Sequence, residues 1–248
     1  MHCKLEMPVP LVIYPVSRDS EALKCYWRGN VSATSFGDRA IPTVFYQGAQ
    51  LQLVDIPGSP TWKQYLRKSL QSTRSGGGEG RLTFDLRLKE GSSNPLISTK
   101  TNNFSFCIRF YITEVPNTGT LFVNGTRGIN GYTLKVTNDL GYYTLYLEDN
   151  NSTFNIELYP NIELNTWYTL GVRWENAGNI SCWMNGSIIK QQDTGFTLTT
   201  PSGSSRWFST VSGGMNVVGY ISEFVFFDKQ LPTTYFTNIT PNAPFLDK

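Results

Sequence analysis

The segment "NTWYTLGVRWENAGNISCWMNGSIIKQ", Asn165 to Gln191, limits what this chain can fold into more than any other stretch. Asn185-Gly186 stands between two apolar runs. A two-residue Asn-Gly loop closes a type I′ turn, whose twist suits paired strands, so the spacing predicts a β-hairpin. With those two residues as the loop, Met184 pairs with Ser187, Trp183 with Ile188, Cys182 with Ile189, and Ser181 with Lys190. Strand side chains alternate faces. Ile180, Cys182, Met184 and Ile189 then read as core, and Ser181, Trp183, Ile188 and Lys190 as an opposite, mixed face. The preceding strand divides the same way, with Tyr168, Leu170, Val172 and Trp174 set against Trp167, Thr169, Gly171 and Arg173. This register turns Trp183 away from the core.

Similar runs recur along the chain. "TVFYQGAQLQLVDI" (43–56), "GRLTFDLRL" (80–88) and "NNFSFCIRFYIT" (102–113) alternate apolar and polar residues. "TGTLFVNGTRGINGYTLKVTN" carries two more Asn-Gly pairs, at Asn124 and Asn130, and "GYYTLYLEDNNSTFNIELYP" reads as a hairpin turning at Asp149–Ser152. Aromatic residues are 14% of the 248, and Ala and Glu are scarce. Short strands at this spacing predict an all-β chain, an antiparallel two-sheet sandwich or jelly roll. With 40% hydrophobic residues it can bury one large core, and no repeat or linker divides residues 1–248. One stretch breaks the pattern. Ser59 and Pro60 suit a helix start, and Trp62, Tyr65, Leu66 and Leu70 follow helical spacing before "SGGGEG". A short helix and a Gly-rich loop are expected near 59–80. Lys63, Arg67, Lys68 and Arg74 give that helix a basic face, and a short helix capping the sandwich is the simpler reading than a site for an anionic partner.

Composition excludes several functions. A net charge of +2, with no Lys/Arg-rich block, argues against nucleic acid. No 18-residue apolar run exists, so no membrane span is expected. "MHCKLEMPVPLVIYPVSRD" lacks the apolar centre and cleavage site of a signal peptide, so either the mature chain starts here or export takes another route. Cys3, Cys25, Cys107 and Cys182 match no zinc spacing, and most read as buried thiols. N-x-S/T sites occur at Asn30, Asn103, Asn124, Asn150/Asn151, Asn179, Asn185 and Asn238, a composition-driven hint at glycosylation and no more.

The hairpin segment, with Trp167 opening a strand and Trp183 before Asn185-Gly186, resembles the central motif of the laminin-G-like, concanavalin A-like jelly rolls. "GYISEFVFFDKQL" is similar to the closing strand of that family, with Gly219, Ile221, Glu223, Phe227, Asp228 and Leu231 in place. "NNFSFCIRFYI" resembles its early core strand. The likeness covers about 102–231, and residues 1–100 diverge. It implies a curved sandwich of two antiparallel sheets, and fold more than function.

Chemistry is sparse. The only histidine, His2, sits at a terminus, which argues against a histidine-based nucleophilic site. Glycoside hydrolysis needs two carboxylates across one bond, and the Glu-x-Asp-x-x-Glu run of the family's glucanase branch is missing. No cofactor or enzyme activity is expected. Calcium would have to come from Asp149, Asn150, Asn151, Glu223 and Asp228, while Ser222 stands where many relatives carry an acid. A structural turn is the simpler reading of these residues. For ligand binding, the outward sets supply Arg109, Tyr111, Arg173, Trp183 and Lys190, and the loop "PSGSSRWFSTVSGG" adds Arg206 and Trp207. The alternative is that another subunit or the N-terminal segment covers these aromatics. The expected function is a structural or adhesion module of an assembled particle (a virion or capsid surface) or a cell surface, with other protein subunits as partners. Glycan binding is the second expectation.

Overall fold

A computed structural model describes residues 23–28, 51–58, 68–72, 82–84, 103–115, 117–126, 130–151, 154–175, 178–196, 198, 205–208, 217–239 and 245. The strands are β1 (Leu23–Arg28), β2 (Leu51–Asp55), β3 (Lys68–Ser72), β4 (Leu82–Phe84), β5 (Phe104–Glu114), β6 (Thr118–Thr126) and β7 (Asn130–Asp139). They continue with β8 (Tyr142–Asp149), β9 (Asn155–Tyr159), β10 (Trp167–Glu175), β11 (Asn179–Met184), β12 (Ser187–Asp193), β13 (Ser205–Trp207) and β14 (Val218–Phe227). A single short helix among these residues, α1 (Thr233–Asn238), follows the last strand. One sheet runs β12-β11-β10-β5-β14-β3-β2, with β1 also on β14, and the other runs β4-β13-β6-β7-β8-β9. All pairings are antiparallel. This is the jelly-roll sandwich that the alternation implied.

The core between the sheets contains the inward sets: Phe104, Phe106, Ile108, Phe110 and Ile112 of β5, and Tyr168, Leu170, Val172 and Trp174 of β10. Phe104 lies nearly parallel to Trp174 of its own sheet at 6.3 Å and to Tyr132 of the other sheet at 5.0 Å, and the second stack ties the two sheets together. Such ring pairs contribute about 0.5–1.5 kcal/mol each beyond their burial.

The Asn185-Gly186 turn forms as expected, with φ of 52° and 85°. The Asn185 side-chain oxygen also accepts a hydrogen bond from the Thr169 N–H at 2.8 Å, fastening the turn to β10. Met184–Ser187 and Trp183–Ile188 pair as read from the sequence, but a bulge follows. Cys182 pairs with Lys190 and Ser181 with Gln191, one residue beyond the expected partners. Opposed residues share a face. Lys190 is therefore aligned with core-facing Cys182 and not beside Trp183.

The helix expected near 59–80 does not extend through Leu70. Residues 68–72 are strand β3, held between β2 and β14. Pairing on both edges satisfies more backbone groups than an isolated amphipathic turn would. Residues 59–67 and 73–81 lie outside the described residues. The expected loop at 201–214 likewise contains strand β13, paired with β4 and β6.

Candidate functional site

The face of the larger sheet that points away from the sandwich core divides into a covered half and a half-exposed half. Leu231, α1 and Phe245 cover one half. Cys107, Trp183, Val225 and Phe227 join Leu231, Tyr235, Phe236, Ile239 and Phe245 in a second apolar cluster. Trp183 lies on the outer side, as the register required, yet only 1% of it is exposed. Its ring stacks on Phe236 at 4.2 Å and 7°. The outward direction holds, but Trp183 is not available as a ligand residue: the chain covers it with its own C-terminal segment, and not with the N-terminal segment or another subunit that the sequence offered as the alternative cover. Gly171 makes the close approach possible, because a Cβ there would stand 2.6 Å from Phe236 Cδ1. A glycine inside a strand often marks such an approach, and this signal was present in the sequence.

The same cover takes two of the three expected arginines, Arg109 and Arg173. Arg109 is fully buried, donating from Nη1 to Glu223 Oε2 at 2.9 Å and from Nε to Thr169 Oγ1 at 3.2 Å. Phe245 N–H donates to the other Glu223 oxygen at 2.9 Å, and the Phe245 ring lies 4.7 Å from the guanidinium carbon. This ion pair ties the C-terminal segment to the sheet. Arg173 is half-buried, reaching Leu231 O at 3.4 Å, Thr233 Oγ1 at 3.3 Å and Glu175 at 3.3 Å, and lying over Trp183. Arg206 and Trp207 belong to β13, in the opposite sheet from the other five candidates. The seven expected ligand residues therefore do not form one site.

Tyr111 is the candidate left half-exposed in an aromatic setting. It pairs in register with Trp167 on one side and Tyr220 on the other. The ring centroids are 5.3 Å apart at 49° for Trp167 and 5.6 Å apart at 78° for Tyr220. All three rings are half-buried. Trp167 rests on Ile56 and donates from Nε1 to Pro57 O at 3.1 Å. Gln71 donates from Nε2 to the Tyr220 hydroxyl at 2.9 Å. The row thus has fixed ring planes and uncharged polar groups. Sequence alternation assigned Trp167 to the outer face but did not single it out, and it missed Tyr220 and Gln71. A bulge in β14 hides Tyr220: the register skips Ser222 between Ile221 and Glu223, so both Tyr220 and Glu223 face outward. Bulges re-aim side chains in this way.

The acidic residues weighed for calcium are dispersed. Glu223 is bound to Arg109 in one sheet, while Asp149 and Asn150 are buried at the end of β8 in the other. Asn150 donates to Asn124 O and accepts from Thr133 Oγ1. Among the described residues, no group of three or more His, Cys, Asp or Glu side chains could hold a metal ion. Cys107 and Cys182 are free, buried thiols on opposite faces of the sheet, and burial pushes both pKa values up. Cys3 and the side chain of Cys25 lie outside what is described.

The sequence profile of the concanavalin A-like lectin/glucanases superfamily, in its laminin G form, matches residues 89–234. The chain belongs to this superfamily. A pentraxin-related protein, PTX3 of Bos taurus, is 28% identical to this superfamily member over 159 residues, 62% of the chain and 41% of that protein. The chain thus spans less than half the length of that relative. Among solved structures, domain 4 of AbnA, a GH43 extracellular arabinanase from Geobacillus stearothermophilus in complex with arabinotriose, is similar with a TM-score of 0.60 and 13% identity. That match covers 87% of this chain and 97% of the arabinanase domain. The binding domain of botulinum neurotoxin serotype G is similar with a TM-score of 0.62 and 14% identity, over 88% of this chain and 50% of that one. At these identities the two structures establish the shared concanavalin A-like fold and nothing finer.

Proposed function

We propose that this domain is a non-enzymatic, extracellular recognition module that binds a neutral oligosaccharide on the row Tyr111, Trp167 and Tyr220. The carrying observation is the row itself: three half-exposed aromatic rings held side by side on one sheet face. Apolar ring faces suit the C–H faces of a pyranose or furanose, and uncharged hydrogen-bonding groups beside them suit its hydroxyls. Gln71 and the Tyr220 hydroxyl are such groups. The arabinanase domain, in complex with arabinotriose, is a sandwich of this fold that holds an oligosaccharide. What points to one here is the aromatic row.

The test is a neutral-glycan array followed by tryptophan-fluorescence titration of the best ligand. Trp167→Ala and Tyr220→Ala are each expected to weaken binding by about tenfold or more, roughly 1.4 kcal/mol, with the far-UV spectrum unchanged. Undiminished binding in both variants, or no neutral glycan bound by the wild-type chain, would sink this reading.

A second reading is supported by a different feature. At the β7–β8 turn Leu140 is 96% exposed and Tyr142 69% exposed. Apolar tips of this kind suit protein contact, which favours an adhesion or structural module of an assembled particle, virion surface or cell surface. Light scattering distinguishes the two. A chain that stays monomeric at high concentration, and forms no interface above about 1,000 Å² with a partner, removes the assembly reading.

A further inference from the structure

The N-x-S/T sites are not equivalent once placed in the fold. Asn124 and Asn150 are buried, and the Asn150 amide nitrogen donates to Asn124 O. A glycan on either would have to pass through the packed end of the sandwich. The Asn103 side-chain oxygen accepts from Gln230, and that of Asn185 accepts from Thr169 N–H. Asn151 is exposed but engaged by a neighbour, and Asn30 lies outside the described residues. Asn179 and Asn238 remain, both exposed and with no side-chain hydrogen bond among the described residues. Thr240, the acceptor residue of the Asn238 site, is followed directly by Pro241, which restricts the backbone of the residue before it.

We propose that Asn179 is a site of N-linked glycosylation. In the reaction, the Asn179 amide nitrogen attacks the anomeric carbon of a lipid-pyrophosphate-linked oligosaccharide. A C–N bond forms, the anomeric C–O bond breaks, the lipid pyrophosphate leaves, and the amide loses one proton. The transferase and the lipid donor belong to the secretory pathway, so the proposal rests on the extracellular reading of the domain but not on the aromatic row.

The position suits a glycan. Asn179 opens β11 just after the β10–β11 turn and pairs with Asp193 at the end of β12. Strand β12 is the edge of the larger sheet, and most of it is exposed. Open strand edges invite pairing with other chains unless something covers them. An oligosaccharide at Asn179 covers one end of that edge. Trp167 stands at the other end of β10, eight residues from Glu175, about 26 Å along the strand. The glycan therefore leaves the aromatic row open.

The decisive experiment directs the full chain into the secretory pathway of eukaryotic cells. The chain is recovered from the medium and from inside the pathway, and its protease-resistant, folded fraction is treated with peptide-N-glycosidase in heavy-oxygen water. Peptide mass mapping then reports each occupied asparagine as a labelled aspartate. Asn179 is expected to be labelled in most molecules, Asn124 and Asn150 in none, and Asn179→Gln is expected to lose one gel-mobility step. Folded chain with Asn179 bare in most molecules overturns the proposal, as does folded chain carrying glycan at Asn124 or Asn150. The mapping uses the wild-type chain, so it stands even if Asn179→Gln folds poorly. A chain with Asn179 occupied that binds no neutral glycan, with or without enzymatic removal of its own glycan, would count against the aromatic-row reading and leave this proposal intact.

Discussion

Gly171 lets the C-terminal helix approach the sheet. Phe236 occupies the space where any larger residue would place a Cβ. Gly171→Ala must therefore push α1 outward and loosen its stack on Trp183. Overpacking of this kind costs about 1–3 kcal/mol, and the expected result is a lower urea midpoint with Trp183 emission shifted to the red. An unchanged midpoint and spectrum would contradict this packing. Glu223 has a larger role. Glu223→Gln removes the carboxylate that Arg109 meets in the buried ion pair, and breaking a buried pair in this way costs about 3–5 kcal/mol. Replacing both residues with apolar ones of similar volume is expected to lose much less. The sequence placed Arg109 on the outer face of its strand. It could not show Glu223 opposite, because the β14 bulge that brings Glu223 there breaks the alternation on which a sequence reading depends.

At the scale of single elements, hairpins are where sequence and structure agree most closely, since a two-residue turn sets its own register. The Asn185-Gly186 turn shows this for its first two pairs, and the bulge that follows shows where local rules stop. The β7–β8 turn is the contrasting case. It places Leu140 at φ 51°, a left-handed conformation that favours asparagine over leucine, and leaves the side chain in solvent. Leu140→Asn is expected to stabilise the domain by roughly 0.5–1 kcal/mol, read as a raised urea midpoint. A destabilised variant would mean that Leu140 makes contacts which its exposure does not reveal. The segment near Leu70 illustrates the opposite limit. Its apolar spacing fits a helix, yet strand neighbours on both sides decide for β3.

For the molecule as a whole, the packed interior sets a pH dependence. Burial raises the Cys107 and Cys182 thiols well above their ordinary value of 9.0 and raises Tyr168 above 10.0. The folded chain keeps these protons at a pH where the unfolded chain releases them. This contribution is complete below the unfolded thiol value and declines as the pH rises past about 9. The urea midpoint should fall between pH 8 and pH 10, and Cys182→Ala should flatten part of that fall. A midpoint that rises over this range would refute the assignment.

The sequence by itself determined the sandwich. Alternation is a local property of each strand and Asn-Gly chemistry is a local property of each turn, so strand faces and the opening of the central hairpin were legible without coordinates. The superfamily likeness rested on those same residues. Only the tertiary structure decided which outward residues meet solvent. Trp183 and Arg109 face away from the sandwich core as their strands require, and a C-terminal segment more than forty residues further along the chain than Trp183 buries them. Tyr111, Trp167 and Tyr220, from three strands distant in sequence, form a row because those strands lie side by side. Such contacts join residues far apart in the chain, and no local pattern records which partner will cover a face.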